Sequence, residues 1–416
     1  MNAISLAECS QTSGLGQLAI FGGTPIRQTR FPPWPVFEDE EIAAVVDVLR
    51  GGRVNYWTGQ QVRRFEEEFA QAVGCRYAVA VANGTVALEA ALEALGIGPG
   101  DDVVVTCRSF VASAACVLRV GARPVFADVD PDSQNITRES IEAALTPRTR
   151  AVICVHLAGW PCDMDPIMDL AEHKGFFVVE DCAQAHGARY KGRSVGSLGH
   201  IAAFSFCQDK ILTTGGEGGM VTTNDPSLWR KVWSLKDHGK DFDKAHQPAD
   251  GTFRFLHDSL GTNWRMTEIQ GAIGRIALGK LEHWVRVRQA NAQLLRQYLL
   301  PIPSLRVPQP PADVEHSYYK FYAFLRDEYV RPGWNRDRII AAINAEGIPC
   351  GSGACPEIYR ERLFQERGLA PARPCRVAQQ LGNTSLMLLV HPTLGEREMR
   401  ETAMAVEKVL RVATEW

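Results

Sequence analysis

Tyr77-Ala-Val-Ala-Val-Ala82-Asn-Gly-Thr85-Val-Ala-Leu-Glu-Ala-Ala-Leu-Glu-Ala-Leu95 decides the fold class. Tyr77 to Ala82 is a short apolar run of strand length, and Thr85 to Leu95 is rich in Ala and Leu, residues that favour a helix. The alternation continues outward. Val103 to Thr106 predicts a strand, Val111 to Val120 a helix, and Pro124 to Ala127 a strand. Ala151 to Val155 and Phe176 to Val179 flank a helix around Ile167 to His173, and Ile201 to Phe206 with Gly219 to Thr223 read as a hairpin. Short, continuously apolar strands with helices between them predict an α/β protein whose mostly parallel sheet is covered on both faces.

The chain has 416 residues, enough for two or three structural units. We expect an N-terminal extension and arm over 1–37, a large domain over 38–290 and a small C-terminal α/β domain over 291–416. Residues 17 to 37 carry Gly-Gly-Thr-Pro and Phe-Pro-Pro-Trp-Pro. Proline lacks the amide that a sheet interior needs, so this arm should be extended and can wrap over a neighbour. From Asp39 a helix is predicted with Ile42, Val45, Val46 and Leu49 on one face, stopped by Gly51-Gly52. A long helix should run from Thr267 to near Leu300. Tyr318 to Leu325 and helices at Arg336 to Glu346 and Glu396 to Val412 then build the smaller unit.

A net charge of -3 opposes general nucleic-acid binding, and no 18-residue apolar run suggests a membrane span. Met1 to Gly16 carries neither a basic cluster nor an apolar signal core, so export is not indicated. The eleven cysteines are scattered through apolar segments, where a thiol behaves as a small hydrophobe. No Cys-x-x-Cys occurs, and Cys350 and Cys355 lack a second pair, so no metal site is expected. A reducing, cytoplasmic compartment follows.

The chemistry centres on Ser205-Phe-Cys-Gln-Asp-Lys210-Ile-Leu-Thr-Thr-Gly215-Gly-Glu-Gly-Gly219, where a lysine precedes a Gly-rich turn. A lone loop lysine is ordinarily a solvated charge. Two other segments change that reading. Asp181, in Glu180-Asp-Cys-Ala-Gln-Ala-His-Gly-Ala188, follows an apolar strand and should emerge at the sheet's carboxyl edge, where ligands of open α/β sheets gather. A carboxylate there needs a partner, and a protonated pyridine nitrogen supplies one. Asn83-Gly84-Thr85 places amides at a helix start, which suits a phosphate, although a plain N-cap by Thr85 is the alternative. Lysine, carboxylate and phosphate turn together are the parts of a pyridoxal phosphate site. Phe110 is a candidate to cover the cofactor ring, with a core position as the alternative. Gln184 is a candidate for the ring hydroxyl, and His186 reads equally as a packing histidine.

These segments resemble the DegT family of pyridoxal-phosphate-dependent sugar and cyclitol aminotransferases, from Phe21-Gly-Gly-Thr-Pro25 to His391-Pro-Thr393. The resemblance implies the aspartate-aminotransferase-like fold, fold type I. It matches Lys210 to the lysine that carries the cofactor, Asp181 to the partner of the ring nitrogen, and Phe110 to the stacking aromatic. Gly84, Thr85 and Ser205 match phosphate contacts. Asn263, in Gly261-Thr-Asn-Trp-Arg-Met-Thr-Glu268, matches an asparagine that reaches the phosphate of the partner subunit's cofactor, implying a homodimer with shared sites. Val155 to Asp165, Trp233 to Gly239 and Gly353 to Glu357 are similar to the scyllo-inosose and aminoglycoside branch, and also to relatives that make nucleotide-linked amino sugars. Family members with histidine in place of the lysine dehydrate sugars, so Lys210 favours transamination.

The resemblance implies two half-reactions, with glutamate or glutamine as amino donor and a keto-sugar or cyclitol as acceptor. Lys210 serves as general base and acid. Asn55, Tyr56, Trp57, His156, His238 and His316 are candidates for substrate contacts, each with a packing or surface alternative. Arg53, Arg108, Arg265 and Lys320 are the cations considered for a nucleotide diphosphate. Two rivals stand beside this reading: a pyridoxal-phosphate dehydratase resembling 3-amino-5-hydroxybenzoate synthase, and a non-catalytic cofactor-binding regulator.

Overall fold

The computed structural model describes residues 17–248 and 253–416. Residues 1–16, read above as an extension without an export signal, lie outside the described residues. In chain order the first strands are β1 (Tyr77–Val81), β2 (Asp102–Thr106), β3 (Arg123–Ala127), β4 (Thr149–Val155) and β5 (Phe177–Asp181). The short β6 (Arg189–Tyr190) and β7 (Arg193–Ser194) follow, then β8 (Ile201–Ser205) and β9 (Gly219–Thr223).

A seven-stranded sheet has the order β1-β9-β8-β5-β4-β2-β3, with β9 alone antiparallel to its neighbours. The expected mostly parallel sheet is therefore present. Its residues divide by the strand period of two. Val103 and Val105 of β2 join one apolar cluster, with Leu88 and Leu92 of the helix Gly84–Ala94. Val104 joins the cluster on the other face, with Phe65 and Phe69 of the helix Gln61–Val73. Burial on both faces explains why these strands read as continuous apolar runs.

Four further strands, β10 (Leu305–Arg306), β12 (Phe321–Leu325), β13 (Cys350–Gly351) and β14 (Ser385–Leu388), make an antiparallel sheet in the order β10-β12-β14-β13. Between the first two lies β11 (Val314–Glu315), which pairs with β6. The second sheet has its own apolar core, shared with the helices Arg336–Ala345 and Glu396–Ala413. The long helix Glu268–Leu299 runs between the two regions. Its capping box, Thr267 with Gln270, fixes where it starts. Among the described residues no helix is long and apolar enough to cross a membrane.

The arm and the first α-helix take more specific forms than the sequence alone dictates. The arm packs on its own chain: Leu18 enters the second core, Ala19 N and Ile26 N donate to Glu346 at 2.9 and 3.1 Å, and Arg27 pairs with Glu398 and Glu401. The helix Asp39–Gly51 turns Val48 and Glu41 inward, Glu41 because Lys280 of the long helix meets it at 2.6 Å. Its predicted apolar face is left half-covered, with Ile42 and Leu49 each 55% exposed.

Candidate active site

β5 and β8 end at the sheet's carboxyl edge with Asp181 and Ser205, and the reversed β9 starts there at Gly219, opposite both Ser205 and Val81 of β1. A cavity of about 770 Å³ opens at this edge. Gly84, Thr85, Phe110, Asp181, Gln184, Ser205 and Lys210 all line it. Segments spread over 120 residues thus meet because parallel strands deliver their ends to one edge.

The turn after β1 is built for close approach. Asn83 caps the following helix, its side chain accepting from Val86 N at 3.1 Å, so the cap is Asn83 and not Thr85. Thr85 is left exposed in the cavity wall. A Cβ on Gly84 would lie 2.5 Å from Cβ of Ser205, so only glycine lets this turn and Ser205 meet. A Cβ on Gly219 would run into the carbonyl of Asn83.

Asp181 is buried, and burial raises its pKa against the lowering effect of its bond from Ser113. Ser113 Oγ donates to Oδ2 at 2.8 Å and Ala183 N to Oδ1 at 3.1 Å. Ser109 Oγ lies 3.0 Å from Ser113 Oγ and extends the chain of hydroxyls. Sequence reasoning passed over Ser113; its spacing of four from Ser109 at a helix start was the available signal. Gln184 Oε1 accepts from Ala158 N at 2.9 Å, which leaves its amide donors for the cavity. Phe110 is 66% exposed, which removes the core alternative.

Lys210 is held from behind by the arm, where Trp34 Nε1 donates to the Lys210 carbonyl at 2.9 Å. Its Nζ lies 3.8 Å from Asp209 Oδ1 and 4.9 Å from the Tyr319 ring centroid. The Tyr319 hydroxyl donates to Asp209. His186 is buried beside Phe204 and Phe206, and burial followed by the charge of Lys210 pushes its pKa down to about 3. It packs against these rings, and neither of its ring nitrogens has a hydrogen-bond partner among the described residues.

The remaining candidates, Lys320 apart, fall outside this cavity. Tyr56 is buried between Glu66, Trp233 and Lys236, and Trp57 donates to Asp237 at 2.7 Å. Asn55 closes its own turn by accepting from Trp57 N. His156 lies wholly buried, with Nε2 on Glu180 at 2.9 Å and Nδ1 accepting from Cys162 N at 3.0 Å. His316 stacks on Tyr318 at 3.8 Å and accepts from its amide, and burial pushes its pKa down to about 3. His238 and Asn263 are exposed neighbours on another surface, where Asp237 bridges to Asn263. Of the four cations considered, Lys320 lines the cavity, whereas Arg108 is buried against Gln134 and Ser385, Arg265 pairs with Asp237, and Arg53 is exposed elsewhere.

The residues present fit pyridoxal phosphate. They offer a lysine amine, a buried carboxylate at the cavity wall, and a turn at a helix start that only glycine can form. Fold and site together define a fold-type-I α/β enzyme. The chain belongs to the DegT/DnrJ/EryC1/StrS aminotransferase family, whose sequence model matches residues 35–407. It is an aminotransferase with pyridoxal phosphate as cofactor. It is 38% identical to the UDP-N-acetyl-3-dehydro-alpha-D-glucosamine 3-aminotransferase of Acidithiobacillus ferrooxidans, over 89% of this chain and 94% of that one. It is 34% identical to the L-glutamine:2-deoxy-scyllo-inosose aminotransferase of Streptomyces kanamyceticus, over 95% and 97%. The crystal structure of an aminotransferase from Psychrobacter cryohalolentis superposes with a TM-score of 0.90 at 52% identity, covering 92% of this chain and 99% of that one.

Proposed function

We propose that this enzyme moves the amino group of glutamate or glutamine to a ketone carbon of a nucleotide-linked sugar or a cyclitol. The observation that carries the reading is the meeting of Lys210, Asp181 and the Gly84–Ser205 contact in one cavity. The acceptor class is supported by relatives named for a UDP-linked keto sugar and for 2-deoxy-scyllo-inosose.

Bound pyridoxal phosphate supplies an aldehyde carbon and an electron-withdrawing ring. Lys210 would hold it covalently and, once displaced, carry a proton between the substrate carbon and the cofactor carbon. Asp181, oriented by Ser113, would keep the ring nitrogen protonated. Gln184 would donate to the ring hydroxyl, Phe110 would cover one ring face, and Gly84, Thr85 and Ser205 would hold the phosphate. Asn263 is exposed in the single chain, which suits a homodimer in which it completes the partner's site. Phe253, Phe255 and Leu260, each more than four-fifths exposed, give such an interface apolar surface to bury. The ten described cysteines are all free, which suits the reducing cytoplasm.

The test incubates purified, cofactor-loaded protein with glutamine and a panel of keto-sugars and inososes, and weighs the products. Gain of an amine supports the reading; loss of water in its place overturns it. In Lys210→Ala the absorbance band at ~420 nm and the amine exchange should both vanish with the fold kept. Near-wild-type turnover in that variant would remove Lys210 from this role.

A further inference from the structure

Lys320 stands at the cavity wall, in the segment between β11 and β12, and lines the same space as Lys210. Among the described residues it makes no ion pair; its Nζ rests 4.7 Å from the Tyr319 ring centroid. Arg288 is fully buried against this segment, donating through Nη1 to the carbonyls of Tyr318 and Tyr319 at 3.3 Å. Its Nε and Nη2 have no hydrogen-bond partner among the described residues. Asp209 is the acidic group that faces these cations, and the Tyr319 hydroxyl already binds it. Burial, then the charges of Arg288 and Lys210, lower the Lys320 pKa against the opposing effect of Asp209. A half-buried ammonium in an excess of positive charge is costly until an anion joins it.

The cofactor's phosphate is not that anion in the reading above, because Gly84, Thr85 and Ser205 serve it. We propose that Lys320 binds the α-carboxylate of the amino donor, a group that glutamate and glutamine share. This rests on the aminotransferase reading of the site. Both lysine ammoniums lie within 5 Å of the same Tyr319 ring centroid, Lys210 at 4.9 Å and Lys320 at 4.7 Å, so they are at most about 10 Å apart. An amino acid reacting at Lys210 carries its α-carboxylate on the reacting carbon itself, within reach of that span.

The test uses the loaded enzyme without acceptor and follows the loss of the ~420 nm band as L-glutamine is added. A charge-assisted contact of this kind contributes about 1.5–3 kcal/mol, so Lys320→Met should raise the half-saturating glutamine concentration roughly ten- to hundredfold. The limiting rate should change little, and so should the acceptor KM, measured separately in full turnover. Lys320→Arg should recover part of the loss, and calorimetric titration with glutarate, an unreactive dicarboxylate, should show the same order of affinities. Unchanged glutamine half-saturation in Lys320→Met overturns the proposal, as does a rise confined to the acceptor KM, which would make Lys320 an acceptor contact. The band reports loading in every variant, so its absence from the wild type would instead remove the underlying reading. Should Lys320→Met fail to load, Lys320→Gln takes its place with the same expectations.

Discussion

Glu180 and Asp181 are consecutive carboxylates at the end of one strand, both buried, and they do opposite work. Glu180 faces into the protein and is saturated. It accepts from the amides of Gly196, Leu198 and Gly199 at 2.7–2.8 Å and from His156 at 2.9 Å. Asp181 faces the cavity with one bond from Ser113 and one from Ala183, and keeps lone pairs for a ligand. The strand period of two sends neighbours to opposite faces, so residue type alone says nothing about which carboxylate is structural.

The largest expected effect separates the pair. Asp181→Asn should lower turnover by a factor on the order of 10²–10³ while the protein stays folded, because the ring nitrogen loses its counter-charge. Glu180→Gln should leave turnover per folded molecule nearly unchanged but lower stability by about 3 kcal/mol, since an amide NH₂ would face backbone donors. Urea unfolding beside single-turnover kinetics reads both. Equal losses of turnover at unchanged stability would dissolve the distinction.

A smaller effect concerns pH. Burial raises the Asp181 pKa in the cofactor-free protein. A carboxyl with a raised folded pKa penalises stability as pH climbs from the unfolded value, about 3.9, through the folded one, and the penalty is complete above it. Cofactor-free Asp181→Asn should therefore melt higher than cofactor-free wild type at neutral pH, and the two should converge below about pH 4. With cofactor bound the order should reverse. A melting curve that ignores pH in this window would mean that Asp181 is as well satisfied as Glu180.

The smallest effect is at Phe110. It is 66% exposed, so Phe110→Ala should not alter the melting temperature of the cofactor-free protein. Loss of a ring stack of about 1 kcal/mol should weaken cofactor retention about fivefold, measured by dialysis and absorbance. A drop in stability comparable to that of a core phenylalanine would move Phe110 to the structural side of the comparison.

The residues that could be read ahead of the structure sit within a few positions of a strand end. Gly84, Asp181, Ser205 and Lys210 belong to short local patterns, and parallel pairing brings such ends together without further information. Residues recruited from afar could not be read in the same way. Tyr319 reaches Asp209 across 110 residues and Trp34 reaches Lys210 across 176. Tyr56, Trp57, His156 and His316 lie outside the cavity of the single chain, which the sequence could not foretell for a related reason. Aromatic and imidazole groups suit cores and sites alike, and only packing decides which neighbours they meet.

The sequence by itself determined the alternation of strand and helix, the reversed strand after the lysine loop and the chemistry offered at the sheet's edge. These depend on short-range periodicity and on residues near strand ends. The tertiary structure alone decided that Glu180 is sealed and Asp181 open, that the arm folds back to hold Lys210, and that Lys320 lines the cavity with no ion pair among the described residues. Each of these depends on which distant groups share a small volume, and close packing settles that only once the whole chain is folded.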